Sequence, residues 1–138
     1  MPTRKDLKEL ARIRLREARA LQRAGMWDGA YYLAGYAAEC GLKACIAKKV
    51  RRYDFPDKDL ANASYSHNLE ALVKAADLLR DLHAATAADP ALEVNWGVAK
   101  DWREVSRYER RTRRQAEDLL LAIGDPQHGV FRWIRRFW

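Results

Sequence analysis

Between Gly29 and Val50 the chain reads GAYYLAGYAAECGLKACIAKKV, a stretch that puts apolar side chains on nearly every face of a helix. Such a helix is stable only when other helices enclose it, so this one segment commits the chain to a layered helical core. Ala30, Ala34, Gly35, Ala37, Ala38, Gly41 and Ala44 let neighbours come close, and Tyr31, Tyr32 and Tyr36 supply bulk. A membrane span is excluded, because the uncharged run from Gly29 to Ala38 falls far short of the ~20 apolar residues required. The opening MPTRKDLKEL has no apolar leader core, which points to the cytoplasm.

The rest of the chain supplies the enclosing helices. With 138 residues it is the size of one domain, and 7 Gly and 4 Pro favour helices over a strand-and-turn protein. Residues 4–24 place Leu7, Leu10, Ala11, Ala18 and Leu21 on one helical face, and Gly25 ends that helix. Asp28 is positioned to cap the next helix. Residues 54–65, with Pro56 and several Asp and Asn, read as a loop. Ser66 then caps a helix over about 67–83, and Asp89-Pro90 opens another over about 90–100. Residues 101–111 read as a loop or broken helix. Thr112-x-x-Gln115 is a capping box for a helix ending at Gly124, and Asp125-Pro126 starts the last one. Its Val130, Ile134, Phe137 and Trp138 share a face opposite Arg132, Arg135 and Arg136. That face either closes the bundle or docks on a membrane surface or partner. The expected architecture is a single all-α domain over residues 1–138, an up-and-down four- to five-helix bundle with an extra C-terminal amphipathic helix.

Charge is unevenly spread. The net charge is +7, and residues 1–25 carry eight basic against three acidic side chains, while residues 26–100 carry nine against ten. On the first helix Lys8, Arg12, Arg16, Arg19 and Arg23 form a basic stripe about 30 Å long at 1.5 Å per residue. Such a line is either a solvated face or a track for phosphates. Arg14 falls inside the apolar sector and has to snorkel or find a partner.

Catalytic signatures are scarce. His67, His83 and His128 have no metal-ligand spacing, and no glycine-rich phosphate loop or nucleophile elbow occurs. No metal or cofactor is expected. Cys40 and Cys45 point about 140° apart on one helix and read as buried, reduced thiols. Polar residues that the pattern places in or beside the core are Arg14, Glu39, Lys43, His67 and Arg107. They form either an internal ion-pair network that fixes helix register or a small polar cleft for a nucleotide or phosphate. At the first turn of its helix, His67 would be held neutral by the dipole.

The run Gly29-Ala30-Tyr31-Tyr32-Leu33-Ala34-Gly35-Tyr36-Ala37-Ala38-Glu39-Cys40-x-Leu42-Lys43-Ala44 strongly resembles the signature helix of HEPN domains. His67-Asn68-Leu69-x₂-Leu72 is similar to the start of that family's next helix, and Trp102-x₄-Arg107-Tyr108 to its "RY" stretch. The resemblance covers roughly residues 5–123. It implies a helical bundle, often a homodimer, found in prokaryotes beside nucleotidyltransferases. Family members include RNA-cutting toxins, nucleic-acid or nucleotide binders, and inert scaffolds. The nucleolytic members carry R-x₄₋₆-H, and no Arg stands five to seven residues before any His here. The expectation is therefore a non-catalytic protein that binds RNA or a nucleotide, as part of a two-component system with a nucleotidyltransferase partner. Its binding residues would be Arg12, Arg16, Arg19, Arg23, Glu39, Lys43 and Tyr108. The alternatives are a structural, partner-binding subunit, or a ribonuclease toxin using His67 and Arg107 across space.

Overall fold

The computed structural model describes residues 2–52 and 58–138. These form an all-helical bundle with no strand among the described residues. The helices are α1 (Arg4–Arg23), α2 (Trp27–Arg52), α3 (Lys58–Ala63), α4 (Leu69–Ala75), α5 (Leu79–Ala88), α6 (Pro90–Ala99), α7 (Arg113–Gly124) and α8 (Val130–Arg135). A 3₁₀ turn at Glu104–Tyr108 connects α6 to α7. As its sequence demands, α2 is the enclosed element: α1, α4, α7, α8 and the 3₁₀ turn all pack on it. Its Ala30, Ala34, Ala37, Ala38, Leu42 and Ala44 are fully buried.

Local chemistry sets most boundaries. Thr3 caps α1 reciprocally with Asp6, and Thr112 caps α7 with Gln115. Asp89 accepts hydrogen bonds from the Ala91 and Leu92 N–H groups, with Pro90 at the first position of α6. α1 ends in a Schellman turn: Gly25 takes φ +76°, and the Met26 N–H reaches the Leu21 carbonyl at 2.8 Å.

Several sequence expectations fail at specific residues. The helix expected over about 67–83 is broken into α4 and α5 by a second Schellman turn, with the Leu78 N–H on the Val73 carbonyl and the Asp77 N–H on that of Lys74. Asp77 adopts φ +59°, a conformation that Asp tolerates better than most non-glycine residues. The N-cap is Asn68, which accepts from the Ala71 N–H, while Ser66 instead receives the N–H of Asn68. Asp28 does not cap α2, which starts one residue earlier; it receives the Arg111 N–H and pairs with Arg110 at 3.0 Å. Within the loop expected over 54–65, α3 occupies residues 58–63, and residues 54–57 lie outside the described residues. Asp125 caps a turn, through the Gln127 and His128 N–H groups, and α8 begins only at Val130.

The C-terminal aromatic face closes the bundle. Val130, Phe131, Trp133, Ile134 and Trp138 are buried, and Trp138 meets Phe131 edge-on at 5.5 Å. Gly41 of α2 admits this tail, since a Cβ there would lie 3.0 Å from Ile134 Cγ2. Of the face that could have docked on a membrane or partner, Val130, Ile134 and Trp138 are buried and Phe137 is partly buried. Trp96, Trp102, Trp133 and Trp138 are all in the core.

Candidate functional site

Two groups of charged residues emerge, and they divide the sequence candidates between them. The first is built on α2. Glu39 is 2% exposed, on an otherwise apolar helix. One of its oxygens faces Lys43 Nζ, one turn on, at 3.4 Å, and the other faces His67 Nδ1 at 3.1 Å. His67 Nε2 lies 3.1 Å from Glu104, whose other oxygen receives Arg107 Nη1 at 2.9 Å. The result is a chain of alternating basic and acidic side chains, Lys43–Glu39–His67–Glu104–Arg107.

Packing holds its parts in place. Glu104 and Arg107 ride on the 3₁₀ turn, which is pinned by Trp102. That indole lies on Gly35, where a Cβ would come within 2.2 Å of Nε1, and its ring stacks on Tyr32 at 6.1 Å. Arg107 lies over the exposed Tyr108 ring at 4.8 Å. Arg14 does not join, pairing instead with Glu17 on its own helix at 2.5 Å. His67 precedes the Asn68 cap, so the dipole argument for a neutral ring does not apply. Its surroundings are two carboxylates, and both ring nitrogens donate to them only in the imidazolium form. His67 and Arg107 are thus brought together, but through Glu104, and each His67 nitrogen faces a carboxylate. Cys40, beside Glu39, has its thiol pushed up to about 11 by burial and then by the Glu39 charge; burial pushes Cys45 up to about 12. Both are buried and free, as their spacing requires.

The second group lies between α1 and the C-terminal tail. Arg12, Arg16 and Arg19 line one wall of a groove of about 470 Å³. Arg132 and Arg135 line it from the exposed face of α8, with Phe131 and Ile123 among its apolar residues. Arg12 and Arg135 flank the Trp138 indole at 4.8 and 5.9 Å, and Arg19 donates to the Gly124 carbonyl at 3.1 Å. None of these five arginines forms an ion pair with a carboxylate among the described residues. Asp125 is the one acid among the groove's lining residues, and its carboxyl is held low by the Gln127 and His128 N–H groups. Lys8, on the same face and 5.4 Å from the Trp138 ring, shows the crowding of charge. Its ammonium is pushed below the usual lysine value, first by desolvation and then by Arg4, Arg12 and Lys48. Arg23 departs from the stripe, lining a depression with Trp27, Arg113 and Glu117.

Sequence reasoning found the α1 wall of this groove and missed Arg132 and Arg135 as its other wall. Their placement opposite the apolar face of α8 was visible, but the docking of that helix beside α1 was not. Among the described residues, no group of three or more His, Cys, Asp and Glu side chains is arranged to hold a metal ion, and no helix is long and apolar enough to cross a membrane. No protein-family model, curated protein or solved structure matches the chain.

Proposed function

We propose that this chain is a non-catalytic module that binds RNA or nucleotide phosphates, with the arginine groove between α1 and α8 as its contact surface. The observation that carries this reading is the convergence of Arg12, Arg16, Arg19, Arg132 and Arg135 on one groove without a carboxylate partner among the described residues. Like charges gathered this closely repel one another, and the planar guanidinium forks match phosphate oxygens in pairs. Trp138 is buried beneath these cations, so the groove offers charge rather than an aromatic face for a base to stack on. That favours contact with the sugar–phosphate backbone irrespective of sequence. The resemblance of the α2 helix to HEPN domains, some of which bind nucleic acid, points the same way.

The ribonuclease alternative loses ground at His67. A general acid or base needs a ring nitrogen within reach of substrate, and both of its nitrogens face carboxylates. Fluorescence anisotropy with a single-stranded oligoribonucleotide tests the reading. The Arg12→Gln, Arg16→Gln, Arg19→Gln variant should lose at least about tenfold in affinity with its fold intact, while Arg107→Gln should bind like the parent. A parent protein with no measurable affinity at about 50 mM salt would instead favour the partner-binding subunit.

A further inference from the structure

Where α8 meets the junction of α5 and α6 there is a second, smaller pocket of about 170 Å³. Asp89, His128, Arg132, Trp133 and Arg136 line it. His128 is held from three sides: its N–H by Asp125 at 3.2 Å, its carbonyl by Asn95 at 2.9 Å, and its Nδ1 by Asp89 at 2.8 Å. That leaves Nε2 as the ring's remaining polar atom. Both oxygens of Asp89 are committed, one to the Ala91 and Leu92 N–H groups at the start of α6 and the other to His128. Arg132 on α8 and Arg136 just past its end are exposed and have no carboxylate partner among the described residues, while Arg132 Nη1 donates to the Gln127 carbonyl at 2.8 Å. Trp133 is 3% exposed, and its indole N–H is buried without an acceptor. Trp133 lies beside these basic groups in the pocket lining, so its indole N–H reports on what occupies the pocket.

We infer that this pocket is a binding site for a phosphate group. Its volume admits a tetrahedral oxyanion, the Arg132 and Arg136 guanidiniums supply the countercharge, and His128 supplies a further polar contact through Nε2. A protonated His128 donates from Nε2, and a neutral one accepts from the hydroxyl of a singly protonated phosphate, so either form complements the ligand. Arg132 also lines the arginine groove. If the groove carries RNA, as proposed above, the natural occupant is the terminal phosphomonoester of a strand lying in it; otherwise it is free phosphate.

The indole N–H resonances of ¹⁵N-labelled protein read the pocket directly, with the Trp133 signal identified by its loss in Trp133→Phe. Titration with inorganic phosphate at fixed ionic strength should shift that signal saturably, and Arg136→Gln should abolish the shift. The exposed Arg136 position makes this variant safe for the fold. An unmoved Trp133 signal up to about 50 mM phosphate overturns the site, whether or not the protein binds RNA. In a second arm, oligoribonucleotides with a 5′ phosphate, a 3′ phosphate or neither are compared. Tighter binding of one phosphorylated form by about tenfold, lost in Arg136→Gln, identifies a strand end as the source. Equal affinities alongside a saturable phosphate shift identify free phosphate. Failure of all three RNAs to bind refutes the groove reading, while the phosphate titration still decides the pocket.

Discussion

The two charge clusters are built in opposite ways. Around Glu39, basic and acidic side chains alternate along Lys43, Glu39, His67, Glu104 and Arg107, each within 3.4 Å of the next, and the Glu39 carboxylate is sealed in the core. In the groove, five arginines share an open surface with a single acid. Such alternation is satisfied from within and fixes how α2, the turn before α4 and the 3₁₀ turn sit together. Charge of one sign adds nothing to that register, and on the proposed function it is what an outside anion would answer. Candidate residues that looked alike in the sequence therefore fall into separate settings: Glu39, Lys43, His67 and Arg107 belong to one chain of contacts with Glu104, and Arg12, Arg16 and Arg19 line the groove.

The largest expected effect breaks the internal cluster. A Lys43→Ala, His67→Ala variant strands the Glu39 carboxylate, and an uncompensated buried charge costs about 3–5 kcal/mol. Adding Glu39→Gln to it should recover most of that loss, because the orphaned charge goes. Urea denaturation in which the double variant stays within about 0.5 kcal/mol of the parent would place Glu39 in contact with water.

A second test probes how dry the helix beneath that cluster is. The ordinary thiol value is 9.0, and the folded chain holds the Cys40 and Cys45 protons to about 11 and 12. The unfolded chain therefore releases them first. Stability that is intact at neutral pH falls as pH rises above 9, by about 1.4 kcal/mol per thiol at pH 10. A Cys40→Ala, Cys45→Ala variant should show a flatter alkaline limb. An unchanged limb would mean that the thiols ionise freely in the folded state.

The smallest stability effects belong to exposed arginines. Arg107→Gln should cost less than about 1 kcal/mol, since the pair it breaks is partly exposed. Arg12→Gln, Arg16→Gln and Arg19→Gln should each stay within about ±0.5 kcal/mol. A destabilisation of about 2 kcal/mol from any one of them would make the groove structural and erase the contrast between the clusters.

Much of this was legible before the structure, and the failures are instructive. The enclosed helix announced itself through Ala and Gly on every face, and Thr112 with Gln115 marked a boundary correctly. The two Schellman turns show where legibility ends. At Gly25 the left-handed residue is a glycine and could be read, whereas at Asp77 an aspartate does the same work inside an apparently continuous apolar period. Glu39 stood out as a charge on an apolar helix, but its link to Glu104 runs through His67, 28 positions away, and depends on the packing of Trp102 on Gly35. The groove was half legible for the same reason. A stripe on one helix is a sequence pattern, and a groove needs a second wall that only tertiary packing supplies.

The most direct measurement is the salt dependence of RNA binding by the unaltered protein, taken as log affinity against log salt. Five phosphate contacts on a single strand, at about 0.7 each, give a slope of about −3.5, and the Arg12→Gln, Arg16→Gln, Arg19→Gln variant should retain about −1.4. A slope near zero, or one that the three substitutions leave unchanged, would contradict phosphate binding by the groove.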